Sequence, residues 1–118
     1  LSDNLSLKAI ISANAKYPKS ERDGLFTNYY DNGVKHMEAE YTNGVLTGIF
    51  RLWHPNAKLM VSANYLNGKP KDEVIFYDFD GIMSMKTVYS EGIKSEKIIY
   101  ESDGIIKQII DCRLEDCN

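Results

Sequence analysis

This sequence is short of what metal binding, membrane insertion and phosphoryl transfer require. Its only cysteines are Cys112 and Cys117, and its only histidines are His36 and His54. A structural zinc site takes four ligands, and these histidines lie far in sequence from the DCRLEDCN segment, so no metal is expected. The two cysteines read either as unrelated thiols near a frayed end or as a short-loop disulfide. The second option would imply an oxidising compartment. No apolar run approaches the 18 residues of a spanning helix, so membrane association is not expected. Lys and Arg number 14 against 17 Asp and Glu, and they are scattered, with Lys69 and Lys71 the densest spot. Nucleic acid is thereby excluded, since phosphate binding needs a basic surplus on one face. There is no glycine-rich phosphate loop, no paired Asp/Asn set for Mg²⁺ and no room in 118 residues for a kinase domain. No cofactor is expected. Helix-period stretches are absent as well.

What the sequence has in abundance is turns. They fall at Asn32-Gly33, Asn43-Gly44, Asn56-Ala57, Asn67-Gly68, Asp80-Gly81, Glu91-Gly92 and Asp103-Gly104, at spacings of 11, 13, 11, 13, 11 and 12. The unit is therefore 24 residues, with one deletion near the end. Side chains keep the same period: Tyr41, Tyr65 and Tyr89; Gly24 and Gly48; Phe26, Phe50, Val74 and Ile98; Tyr29, Trp53 and Tyr77. Ile11–Tyr17 (ISANAKY) aligns with KHMEAEY, LMVSANY and MSMKTVY, so residues 1–22 read as a degenerate capping repeat, 23–110 as the repeats proper and 111–118 as a C-terminal cap or tail.

Each half-unit is a strand. Leu59 to Tyr65 alternates apolar and polar positions, the period of a sheet with one buried face. Asn-Gly suits a two-residue type I′ turn. Strand, turn and strand repeated this way make an all-β antiparallel meander of about 8–10 short strands, an elongated, curled single-layer sheet. Pairing strands around two-residue loops puts Gly24 opposite Tyr41, Met37 opposite Phe50, Gly48 opposite Tyr65, Val61 opposite Val74 and Met85 opposite Ile98. One apolar ridge results: Phe26, Met37, Phe50, Val61, Val74, Met85, Ile98. The paired tyrosines would cover backbone left bare by the glycines.

A glycine opening a strand, aromatics before Asn-Gly, and a Tyr-x-Asn-Gly ending resemble the MORN repeat, in particular its bacterial variant form found in antitoxin-like proteins. Gly48 to Asn56 followed by Asn64 to Gly68 carries the likeness best, and Asp72, Glu96 and Ala57 depart from it. The resemblance implies a scaffold or binding surface without catalytic residues. It also raises a remote lipid-binding alternative, because eukaryotic relatives are associated with membranes and phosphoinositides.

The second face, by the same pairing, carries His36, Glu38, Glu40, Arg51, Ser62, Asn64 and Lys86 with Tyr29, Trp53 and Tyr77 among them. His36 would lie opposite Tyr29, Met60 opposite Trp53 and Ser84 opposite Tyr77. Rings on a polar face suit binding, so Tyr29, His36, Arg51, Trp53, Met60 and Tyr77 form the candidate row. The bland alternative is that the rings only pack. Glu38 and Glu40 read as a solvated strand face rather than an acid/base pair, and Asp78-Phe79-Asp80-Gly81 as a turn rather than a calcium loop. The expected function is non-enzymatic binding of another protein. Placement outside the cytoplasm or at the cell envelope is favoured, with a cytoplasmic antitoxin neutralising a cognate toxin as the alternative. The edge segment IKQII could also join a second copy as a homodimer.

Overall fold

The structure, a computed structural model, describes residues 22–117. The expected capping repeat therefore lies, apart from Arg22, outside the described residues. Eight strands follow one another: β1 Gly24–Tyr29, β2 Lys35–Thr42, β3 Val45–Trp53, β4 Leu59–Leu66, β5 Lys69–Tyr77, β6 Met83–Ser90, β7 Ile93–Tyr100 and β8 Ile106–Asp111. They form one antiparallel sheet in sequence order, β1 to β8, an all-β meander. The sheet is open rather than curled.

Two kinds of turn alternate along the chain. At Asn43-Gly44, Asn67-Gly68 and Glu91-Gly92 both residues have positive φ (50 and 80, 51 and 82, 52 and 79), as a type I′ turn demands. The other four are not two-residue loops. There only Gly33, Ala57, Gly81 and Gly104 are left-handed, and each donates its N–H to the carbonyl three residues back, at Tyr30, His54, Asp78 and Glu101. A type I turn closed by one left-handed residue makes a three-residue loop.

Next to each such loop one residue is left over in the following strand. His36 falls between the pairs Tyr29↔Lys35 and Asn28↔Met37, and Met60, Ser84 and Lys107 hold the equivalent places. These are β-bulges. The opposite strand ends carry a second irregularity. Between flanking pairs, Thr47, Gly48 and Ile49 face Glu40 alone; Asp72 and Glu73 are both extra in β5; only Ser95 is extra in β7. A net insertion of two keeps inward residues inward, whereas one residue exchanges the faces.

These insertions replace the expected single ridge with two rows. Phe26, Ala39, Phe50, Ala63, Val74 and Thr87 form one; Met37, Leu52, Val61, Phe76, Met85 and Ile99 form the other. Met37 thus meets Leu52 rather than Phe50, and Val61 meets Phe76 rather than Val74. Ile99, not Ile98, stands opposite Met85; Ile98 crosses to the polar face opposite Lys86. Phe50, Leu52 and Val61 are each 1% exposed. Burying such a side chain contributes about 1.5–3 kcal/mol. Thr87 and then Lys97 continue the first row beyond Val74, so its apolar part stops at β5.

The Gly24–Tyr41 and Gly48–Tyr65 pairs form as expected, with Tyr41 edge-on to Phe26 at 5.6 Å and Tyr65 edge-on to Phe50 at 5.7 Å. Backbone angle is the more direct reason for Gly48. Its φ is +112, and a Cβ there would run into the Glu40 carboxylate, which accepts the Ile49 N–H at 3.1 Å. Cys112 and Cys117 are joined as a disulfide, their Cα atoms 5.4 Å apart, and Lys97 Nζ donates to the Cys117 carbonyl at 3.2 Å.

Ala57 occupies a left-handed position (φ 72) that its three counterparts fill with glycine. Ala57→Gly should raise stability by about 0.5–1 kcal/mol, since left-handed backbone costs an L residue about 1–2 kcal/mol and glycine's greater unfolded-state freedom offsets part of that. Gly48→Ala should lower it by about 2 kcal/mol. Urea unfolding midpoints of both variants test the pair.

Candidate binding face

Alternation along the strands sends Thr27, Glu38, Arg51, Ser62, Ile75, Lys86, Ile98 and Ile109 to the face away from the apolar rows, each opposite the next. Glu38 on this face is buried at 8% exposure. Lys35 Nζ lies 2.8 Å from one carboxylate oxygen and Arg51 Nη1 lies 3.6 Å from the other. The expectation of a solvated Glu38 is therefore wrong. Arg51 one strand over and Lys35 three residues back enclose it, and a buried carboxylate persists only when so paired. Glu40 is likewise committed, to the Ile49 N–H.

Lys35 also lies over Trp53, with Nζ 5.5 Å from the ring centroid, a cation–π contact. Trp53 ends β3, and its carbonyl accepts the Tyr30 hydroxyl at 2.6 Å. The Tyr30 ring in turn stacks on His36 at 4.5 Å. One cluster thus gathers His36, Arg51 and Trp53 through Tyr30, Lys35 and Glu38. Desolvation lowers the His36 pKa from its ordinary 6.5 and raises that of Tyr30.

The same stitch recurs one repeat on. His54, buried at 6% exposure, places Nε2 3.2 Å from the Tyr77 carbonyl, and Asn56 Nδ2 donates to Phe79 O at 2.8 Å as Asn32 Nδ2 does to Pro55 O at 3.1 Å. In the third repeat Asp78 stands where Tyr30 and His54 stood. Its carboxylate turns back to accept the Asp80 and Ile82 N–H groups of its own loop.

Tyr29, Trp53 and Tyr77 do line up on one face at the same strand ends, and Tyr29 is 61% exposed. Rings on alternate strands of a sheet stand roughly 10 Å apart. Their expected neighbours are not opposite them: Lys35, Leu59 and Met83 hold those places, because His36, Met60 and Ser84 are the bulge residues. Met60 packs against the apolar core, and Ser84 Oγ donates to Phe76 O at 3.2 Å, so neither fills a gap in the row. Tyr100, unselected in the sequence, ends β7 in the equivalent position and extends the row to four rings. The deletion places it 23 rather than 24 residues after Tyr77. Lys35 and Tyr30 were also missed, as no spacing in sequence relates them to Trp53.

A cleft of about 650 Å³ lies at the other strand ends, lined in part by Leu66, Lys69, Pro70, Lys71 and Tyr89, with none of the selected residues among its walls. Among the described residues no group of three His, Cys, Asp or Glu could hold a metal ion, and no helix is long and apolar enough to cross a membrane.

This geometry defines a hairpin-repeat meander with one apolar face and one polar, aromatic-lined face. No protein-family model matches the chain, and no curated protein does. Among solved structures it is similar to S. aureus TarM, a glycosyltransferase. A TarM mutant in complex with Fondaparinux, alpha-GlcNAc-glycerol and UDP matches with 8% identity and a TM-score of 0.52. A second crystal structure of TarM matches with 11% identity and a TM-score of 0.51. Each match covers 88% of this chain but 22% of the TarM chain. At these identities the likeness shows the fold alone.

Acidification gives a test of the cluster. A histidine whose folded pKa is lowered takes up its proton more readily in the unfolded chain. Its contribution to stability is therefore complete above 6.5 and lost as pH falls below that value. Thermal melts between about pH 7.5 and 5.5 should show a loss in the wild type that His36→Phe, which keeps the stack on Tyr30, partly abolishes.

Proposed function

We propose that the chain is a non-enzymatic repeat scaffold whose polar face binds another protein through the row Tyr29, Trp53 and Tyr77, with Tyr100 as its continuation. One observation carries this reading. At the two central positions of the row, side chains from the preceding loop bind the backbone and leave the rings on the face: Tyr30 bonds the carbonyl of Trp53, and His54 that of Tyr77. Rings fixed in advance lose little entropy on binding and present large area, which is why aromatics dominate binding hot spots. Lys35 and Arg51, partly exposed and anchored by Glu38, would add fixed positive charge beside Trp53. An acidic stretch of partner polypeptide fits that charge.

The MORN-like spelling of the repeats agrees with such a scaffold. The chemistry of TarM is not carried over to this chain. The Cys112–Cys117 disulfide favours an oxidising compartment, hence exported or envelope placement, over a cytoplasmic antitoxin.

Tyr29 separates binding from packing better than Trp53, because its ring is mostly exposed whereas Trp53 supports Lys35. Tyr29→Ala should leave the melting temperature within about 1 °C and weaken capture of the partner from source cells about tenfold, the usual consequence of removing a hot-spot aromatic. Trp53→Ala should weaken capture as much or more, at a cost of about 1 kcal/mol in stability. Full capture by both folded variants would refute the row as a binding site.

A further inference from the structure

We infer that the chain pairs with a second copy of itself through β8, edge to edge and antiparallel about a two-fold axis at Ile109. β8 ends the sheet, so one side of its backbone has no neighbouring strand among the described residues. The Cys112 N–H points into the sheet, donating to Ser95 O at 3.0 Å. Inward and outward groups alternate along an antiparallel strand, so Asp111 and Ile109 turn theirs to the open edge. Two copies of Ile109 facing each other there exchange both of their N–H···O=C bonds, the arrangement at the centre of a symmetric antiparallel pair.

Side chains choose this register over its neighbours. Ile109 pairs with Ile98 and Asp111 with Glu96, so Ile109 and Asp111 share the polar face by alternation, and Lys107, the bulge residue, immediately precedes the regular pairing that begins at Gln108. With the axis on Ile109, Lys107 of each copy falls opposite Asp111 of the other. A shift of one residue either way loses both contacts. Glu96 and Asp111 are direct cross-strand neighbours of like sign, and Arg113, bound to Asp111 through Nε and Nη2 at 3.1 Å each, interacts with Glu96 as well. A lysine from the second copy adds a second positive charge beside these two carboxylates. Opposed like charges destabilise a sheet and opposite ones stabilise it.

The apolar residues point the same way. Ile109 is 56% exposed, Ile105 65% and Leu114 84%. Leu114 of one copy and Ile105 of the other flank the same end of the paired segment, which gathers exposed aliphatics of both copies there. β8 contains no proline, and the bulge at Lys107 and the disulfide loop after Asp111 bound the paired segment at its two ends. An axis normal to the sheet leaves both polar faces on the same side, so two aromatic rows are presented together.

Sedimentation velocity over roughly a hundredfold range of concentration tests this by mass action. The wild type should show a monomer–dimer equilibrium. Ile109→Lys, which puts like charges on the axis, and Lys107→Glu should each weaken it about tenfold or more while far-UV circular dichroism stays unchanged. Lys107→Glu mixed with Asp111→Lys should restore a dimer, since each contact then joins opposite charges. A wild type monomeric throughout, or an undiminished dimer in folded Ile109→Lys and Lys107→Glu, would overturn the proposal. A mixture that fails to dimerise, with both variants folded, would overturn the register.

Discussion

Everything in this molecule follows from where the backbone is allowed to turn left-handed. Alternate turns differ by one residue because the residue before Gly33, Gly44 and their counterparts is left-handed at Asn43, Asn67 and Glu91 but not at Asn32, Asn56, Asp80 or Asp103. Within the strands, Gly24, Gly48 and Asp72 repeat the demand at 24-residue intervals. Glycine meets it without steric cost, and aspartate is among the few other residues that tolerate it. At Gly48 and Asp72 the left-handed residue belongs to a net insertion of two, which leaves the apolar pattern in phase with the pleat. In β7 the deletion removes that site, a single extra residue remains, and the faces exchange.

The second constraint acts across two strands. Tyr30 to Trp53, Asn32 to Pro55, His54 to Tyr77, Asn56 to Phe79 and Lys58 to Asp80 each tie one three-residue loop to the next. Such ties would prevent neighbouring hairpins from rotating against each other, which a strip of paired strands otherwise allows. They run from β1 to β5 and lapse at Asp78, whose carboxylate serves its own loop. Burial follows the same gradient, dense from β2 to β5 and sparse at β8, where residues 106–109 are all exposed. The sheet is thus cross-tied at one end and bare at the other, where its edge is open to extension.

The polar, aromatic-lined face shows how far residue spacing alone carries. The 24-residue columns disclosed Tyr29, Trp53 and Tyr77 as one row, since strand ends in successive repeats must coincide. His36, Met60 and Ser84 fall in bulges because such turn dipeptides spell two loop lengths, separated only by the conformation of the residue before Gly33, Ala57 and Gly81. Their own 24-residue spacing was a signal that could have marked them as bulges. Tyr100 escaped notice for a related reason, one deleted residue having moved it out of its column.

By itself the sequence determined an antiparallel meander, its turn positions, the pairs Gly24–Tyr41 and Gly48–Tyr65, and the row of rings. These depend on local backbone preference and on the pleat's period of two, both of which are written along the chain. Tertiary structure alone decided that the apolar residues form two rows, that Ile98 is buried on the other face, opposite Lys86, and that Glu38 is buried between Lys35 and Arg51. Each depends on how many residues a neighbouring strand inserts, and hydrogen bonding across the ladder sets that number. No residue carries that information without its partner strand beside it.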